Sequence, residues 1–560
     1  MKSRTPNVSL VIGIVLLLFL IGIVLSASIL FLLGVSISTA SFWVAVCASI
    51  VCLLAMTYTF FTTRRTTMFL SLLMGLGLVF GVSWYVSTAT YDLSWDGQTY
   101  HQEAIILLKN GWNPVHDQPL LNITDTQKFD NPSEESLRTP FYLWINHYTK
   151  GPWILDAVMY KLTDNIEGSK MFNFILLFAS FFLCLAAILD AYPEKKRRAV
   201  FFSLLLACNP VVIAQLVTFY IDGQLASLVL IICSLGYLLF KRFNAWIVVG
   251  LCSAIILLTA IKFTALVYAV LLCGGLLVLF FLYDKHRHWK KLLLSLVACG
   301  LVAVTIVGYN PYVTNFLAKG HPFYPLAGEH AVDIMTANSP ADFKEKNLFE
   351  KFFVSLFAKS ENITRPNEST MKWPFTIAFE EFQAFVGADA RVAGFGPLFG
   401  GAVLVTCVVS LALFLRSRQL AKPVFLLSGI ILLTVFINPE SWWARYVPQL
   451  WFVPILVAMV GFESEKQFVK YGSWLLICTL SINLLLVGAT QAIAQSFFNV
   501  QVNIQLHEMK KSKLPVLVDF QYFHSNRIRL EKAGIEFIEA KLDDKNAKKL
   551  SSSRATYLLR

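Results

Sequence analysis

The sequence predicts a mainly α, polytopic membrane protein with about thirteen transmembrane helices, large extracytoplasmic loops and a small C-terminal α/β unit. Three observations predict it. The 560 residues are 56% hydrophobic and 15% charged with a mean hydropathy of +0.62, whereas a soluble globular chain is roughly 45 to 50% apolar and about 25% charged. Apolar runs near the ~20 residues that cross a bilayer recur along most of the chain. Basic residues gather in every second short link between those runs, as cytoplasmic loops require. A soluble enzyme is excluded.

The runs are 8–34, 40–61, 67–87, 170–191, 199–219, 223–240, 245–261, 264–283, 291–309, 397–415, 421–437, 447–462 and 468–489. The first is longer than the apolar core of a signal peptide, about 7 to 15 residues, and reads as a span. With Lys2 and Arg4 inside, the basic links at Arg64-Arg65, Lys195 to Arg198, Lys241-Arg242, Lys285 to Lys291, Arg416 to Lys422 and Lys466 to Lys470 all fall on the cytoplasmic side. The N-terminus is therefore expected in the cytoplasm and the C-terminus outside, in a bacterial inner membrane. This placement accounts for the net charge of +12 without a nucleic-acid partner. The ten cysteines lie inside apolar runs, which suits soft packing groups better than disulfides or a zinc site.

Residues 88–169, 310–396 and 490–560 are left outside, and polar segments of that length usually carry function. The chain divides into a transmembrane domain, 1–489, and a tail, 490–560. In the first loop, Tyr100 to Lys109 and Leu137 to Tyr148 are amphipathic, with Trp112, Trp144 and Trp153 nearby, and read as helices resting on the membrane. The tail reads as strand Pro515 to Phe520, helix Ser525 to Ala533, and strands Ile535 to Ala540 and Ala555 to Leu559. No internal repeat or pair of short spans is visible, which counts against an inverted-repeat transporter.

Four stretches hold candidate chemistry. Tyr91 to His101 places Asp92 and Asp96 directly after the third span, among aromatic side chains. A partly desolvated carboxylate there suits a general base; the plainer role for Asp96 is a helix cap. Asp222 follows Asn209-Pro210 at an outer turn, where it either forms an Asp-Gly turn or holds an acceptor or a metal. Lys262 stands alone between two apolar runs, and an ionisable residue at that depth is by default a functional candidate, with snorkelling as the alternative. Arg445 lies in Asn438 to Tyr446, where a guanidinium can fork onto phosphate oxygens. Its neighbours Trp442, Trp443 and Tyr446 suit a membrane interface whatever the function. His147 and Lys150 in the first loop, and His321 in the second, lack the spacing of a zinc site. There is no phosphate-binding Gly-rich loop and no dinucleotide fingerprint.

The Trp95-Asp96-Gly97-Gln98-Thr99-Tyr100 stretch, with Gly111-Trp112-Asn113-Pro114 beyond it, resembles the first outer loop of the GT-C superfamily of membrane glycosyltransferases. That superfamily includes the protein O-mannosyltransferases and the aminoarabinose transferases of lipid A. The resemblance spans roughly residues 60 to 460. It implies a sugar donor on a polyprenyl phosphate and an acceptor hydroxyl on a glycan, lipid or protein. Asp96 would then be the general base, with Asp92 a rival and Asp222 an alternative base or acceptor ligand. Lys262 and Arg445 would bind the donor phosphate, on the side of the sugar opposite the base. Tyr100, His147, Lys150 and His321 would line the groove. No cofactor is implied as certain, a divalent metal remains open, and no residue is assigned to it. The Trp442-Trp443 pair resembles the oligosaccharyltransferase signature, but Ala444 stands where that signature has Asp, so that activity is not assigned.

Two rivals remain. A transporter or flippase of a lipid-linked glycan would place charges near the bilayer midplane, where this chain has almost none. An oligosaccharide polymerase or ligase would show outer arginines, for which Arg138, Arg365, Arg391 and Arg445 qualify.

Overall fold

A bilayer offers backbone groups no hydrogen-bond partner, so apolar runs resolve into helices. The computed structural model describes residues 5–123, 138–284, 288–333, 335–364, 366–543 and 545–560, and it is mainly helical. Lys2, Arg4, Lys285 to Arg287, Leu137 and Arg365 lie outside the described residues.

Among the described residues, ten helices are long and apolar enough to cross a membrane: Asn7–Leu32, Ala40–Phe60, Arg65–Thr88, Ile166–Ala191, Asp222–Lys241, Phe263–Tyr283, Trp289–Val307, Phe399–Arg416, Arg418–Phe436 and Gln467–Lys510. Ala245–Thr259 and Pro448–Gly461 are shorter apolar helices. The fifth expected span, 199–219, is not one helix but two, Lys196–Ala207 and Pro210–Gln215. Pro210 removes a backbone donor at the break, and the Asn209 side chain caps the second piece by accepting from the Val211 amide at 2.9 Å.

Asp222–Lys241, Ile166–Ala191 and the first helix are the most buried of these spans. Phe19 ties the first helix to its neighbours, meeting Phe42 edge-on at 5.6 Å and Phe80 at 4.8 Å and lying against Phe172 at 6.5 Å. The outer helices turn whole apolar faces outward: Met74, Leu78 and Tyr85 on the third, Val270 and Phe281 on Phe263–Tyr283. Side chains of that kind find their solvent in lipid.

The first-loop segment expected to rest on the membrane is instead interior. Gln102–Lys109 buries Gln102, Ala104, Ile105, Ile106 and Leu108, packed against Gly151–Thr163. Of the second amphipathic stretch, Tyr142–His147 is helical.

The last span does not stop near residue 489. Gln467–Lys510 is one helix of 44 residues, which at about 1.5 Å per residue is roughly 66 Å long, twice the hydrocarbon thickness. Its far end carries the α/β unit, a four-stranded sheet in the order Phe537–Glu539, Val516–Asp519, Thr556–Leu558, Lys548–Lys549. The first pair is parallel and the other two antiparallel, with Asn526–Lys532 as the crossover helix. Lys548–Lys549 is a strand that the sequence pattern did not indicate. This unit folds back onto the first loop.

Candidate active site

The first turns of Asp222–Lys241 and Phe263–Tyr283, with residues of the long loops and of the 438–446 link, enclose a cavity of about 660 Å³. Its walls are largely aromatic: Trp95, Tyr100, Trp144, Tyr148, Tyr220 and Trp443 contribute. Eight charged side chains line it, and five of them, Asp96, Asp222, Lys262, Asp389 and Arg445, form one connected cluster.

Arg445 is the hub. It is presented by the short helical turn Ala444–Tyr446, and its Nη1 lies 3.2 Å from Asp96 Oδ2 and 3.2 Å from Asp389 Oδ2. Nη2 donates to the same Asp96 oxygen at 3.3 Å, and Nε lies 3.6 Å from Asp222 Oδ2. The rings of Tyr220, Trp443 and Tyr446 pack within 4.9, 5.0 and 5.4 Å of the guanidinium. Burial by itself would lower the Arg445 pKa, but Asp389, Asp222 and Asp96 together raise it well above the usual value. The guanidinium is therefore fully charged.

Asp222 links the hub to the second cation. Lys262 Nζ donates to Asp222 Oδ1 at 2.8 Å and stands 3.8 Å above the Tyr446 ring, so its ammonium points into the site and does not snorkel. Asp222 is the first residue of its helix rather than part of a tight turn, and Gln215 donates to its Oδ2 at 3.2 Å. The cavity thus pairs three carboxylates with two cations at this hub.

Asp96 sits at the start of the π-turn Gly97–His101, and its side chain caps no helix amide there. Instead it faces Arg445. Asp92, the rival, is fully buried below the loop and is absent from the cavity wall. Its Oδ1 accepts from the Ser94 amide at 2.9 Å and its Oδ2 from Gln102 at 3.2 Å, which fixes the turn that presents Asp96. Burial raises the Asp92 pKa, as it does where carboxylates are desolvated. Gly97 is needed here for close approach, since a Cβ at that position would meet Asp92 Oδ2 at 1.8 Å.

The other sequence candidates divide. Tyr100 lines the cavity, and burial raises its phenol pKa well above the usual value, with Asp96 adding to the effect. His147, Lys150 and His321 do not line it. His147 is buried against Asn315 at 2.8 Å, and burial lowers its pKa to about 4. Lys150 donates to the carbonyls of Asn146 at 2.9 Å and Tyr148 at 2.5 Å, and burial holds its pKa well below the usual value. His321 turns inward locally, accepting from the Phe323 amide at 3.2 Å. None of the three is on the cavity wall: His147 and Lys150 are buried in the first loop, and His321 is half-buried in the second.

Sequence reasoning missed Asp389, His101, Tyr220 and the role of Trp443. Asp389 accepts from the Trp443 indole at 2.8 Å, and burial raises its pKa while Arg445 opposes that shift. Nothing in its local context, Gly387-Ala388-Asp389-Ala390-Arg391, marks it; only the fold brings it to Arg445. Trp443 is buried, stacked on Trp442 at 5.2 Å, and so is not an interfacial belt residue. Among the described residues no group of three or more His, Cys, Asp and Glu side chains has the arrangement of a metal site.

No family model matches the chain, and no curated protein matches it. Among solved structures the chain is similar to the crystal structure of ArnT from Cupriavidus metallidurans bound to undecaprenyl phosphate, with a TM-score of 0.42 and 12% identity over 83% of this chain and 85% of that one.

Proposed function

We propose that the chain is an inverting glycosyltransferase of the GT-C type that moves a sugar from a polyprenyl phosphate to an acceptor hydroxyl on the outer face of the membrane. The observation that carries this reading is the Asp96–Arg445–Asp222–Lys262 array inside an aromatic cavity at the membrane end of the long loops. Aromatic walls suit the faces of a sugar and keep water out, and two cations suit a departing phosphate. Asp96 is the base that takes the acceptor's proton as its oxygen attacks the anomeric carbon; the electron pair of the breaking bond leaves with the lipid phosphate.

The resting contacts add one feature to this scheme. Asp96 and Arg445 touch, so base and phosphate cation do not begin on opposite sides of a sugar. A donor phosphate competes with Asp96 and Asp389 for the guanidinium. When it wins, Asp96 loses its cation partner, and a carboxylate without such a partner accepts a proton more readily. Donor binding and freeing of the base are then one event.

The test is sugar transfer by purified protein from a panel of polyprenyl-phosphate sugars to an envelope extract. Asp96→Asn is expected to lower transfer by about 10² or more while binding of polyprenyl phosphate persists. Equal transfer by the variant would remove Asp96 as the base and make Asp222 the next to test.

A further inference from the structure

His101 ends the π-turn that begins beside Asp96, is 2% exposed, and lines the cavity. Its Nδ1 lies 2.7 Å from the Trp153 indole nitrogen. An indole N–H can only donate, so Nδ1 must accept and the ring proton must sit on Nε2. Among the described residues Nε2 has no hydrogen-bond partner. His101 lines the cavity, and Nε2 is not among the fully buried polar atoms, so its N–H is open to whatever occupies the site.

The groups facing the ring come from several elements. Asp96 and Asp222 draw a proton toward it, while Arg445 and Lys262 repel one. Tyr100 packs on the ring at 4.3 Å and Tyr220 at 6.3 Å. Burial dominates and lowers the His101 pKa to about 4. Protonation would also set an Nδ1–H against the indole N–H, so the Trp153 contact and the burial oppose the cation together. This argues against a phosphate as the ligand, because an adjacent phosphate favours imidazolium and already has Lys262 and Arg445 to meet it. An uncharged oxygen is what a neutral donor fits.

We propose that His101 is a fixed neutral hydrogen-bond donor to a hydroxyl oxygen of the transferred sugar, held in that tautomer by Trp153. The assignment of the sugar rests on the glycosyl-transfer reading above; the fixed tautomer does not.

Two measurements test it. The first is binding of a panel of polyprenyl-phosphate sugars, and of bare polyprenyl phosphate, to wild type, His101→Phe and His101→Gln. His101→Phe is expected to weaken the sugar-bearing donor about tenfold or more and leave the bare lipid unchanged, and Gln, which returns an N–H near Nε2, is expected to recover most of the loss. Equal weakening of the bare lipid, or no weakening at all, would overturn the proposal. The second is ¹⁵N NMR of the imidazoles in wild type, which needs no variant to fold. His101 is expected to remain Nε2-protonated and neutral between about pH 8 and pH 5, and in Trp153→Phe, which removes the indole donor but not the burial, to stay neutral while populating both tautomers. A wild-type His101 that titrates in that range, or carries its proton on Nδ1, overturns the fixed tautomer. Failure of the glycosyl-transfer reading shows separately, as wild type that transfers no sugar and binds bare and sugar-bearing lipids alike; the sugar assignment falls with it, while the NMR still judges the tautomer.

Discussion

Arg445 is shared by three acids, and that sharing sets how strongly it can hold anything else. Asp389 contributes a competing carboxylate without contacting Lys262. Asp389→Asn therefore removes a rival for the guanidinium and is expected to tighten polyprenyl-phosphate binding about fivefold, equivalent to roughly 1 kcal/mol. Equilibrium binding to the purified variant checks this, and weaker binding would mean that Asp389 chiefly positions Arg445. Gly97 makes the complementary point about geometry. A methyl group there collides with the Asp92 carboxylate, so Gly97→Ala is expected to cost about 1 to 3 kcal/mol of stability and to misplace Asp96, read as a lower Tm together with reduced transfer. Asp92 was legible in the sequence as an acid near the site but not as the acid that builds the turn; only its burial and its Ser94 and Gln102 bonds distinguish the two.

Among elements, the long last helix and the α/β unit it carries bear most directly on the site. The unit grips the first loop on both sides of Asp96. Trp95 packs edge-on against Phe523 at 4.9 Å and under the Arg554 guanidinium at 4.5 Å. Gln98 donates to the Ser552 carbonyl at 2.8 Å and accepts from Asn526 at 3.1 Å, while Ser525 donates to the Gln98 carbonyl at 2.7 Å. Beneath them Arg529 reaches Glu167 at 3.1 Å and the Asp92 carbonyl, and Glu167 also holds Lys170 at 2.6 Å and accepts from the Asp92 amide at 2.9 Å. Removing one member of a buried charge network leaves the others uncompensated, typically by about 3 to 5 kcal/mol. Arg529→Leu is expected to loosen the unit, seen as protease cleavage before Val516, and to lower the rate of transfer more than polyprenyl-phosphate affinity. Unchanged transfer in a variant whose tail is cleaved readily would show that the grip does not matter to the site. The sequence indicated the elements of this unit but not where it docks, because its contacts join residues more than 400 positions apart.

At the scale of the molecule, buried neutral histidines make the fold sensitive to acid. Burial lowers His101 and His147 to about 4 from 6.5. In that window the unfolded chain binds more protons than the folded one, so stability is full above about pH 6.5 and declines as pH falls toward 4, by on the order of 3 kcal/mol for each histidine. Thermal unfolding in detergent is expected to show a lower Tm at pH 5 than at pH 7, and a level Tm would contradict the burial of these rings as neutral groups.

The sequence by itself determined that this chain is a bundle of apolar helices with its polar mass in long loops, because hydropathy over ~20 residues is a local property that a bilayer reads directly. It also marked Asp96, Asp222, Lys262 and Arg445, since charges beside apolar runs are conspicuous in so uncharged a chain. The tertiary structure alone decided that these four meet in one cluster at the Arg445 guanidinium, that Asp389 joins them, that His147, Lys150 and His321 stand off the cavity wall, and that the Asn209-Pro210 stretch is a break and not a span. Each of those outcomes depends on contacts between distant segments, and a distance between segments is set by how helices pack, which no local pattern encodes.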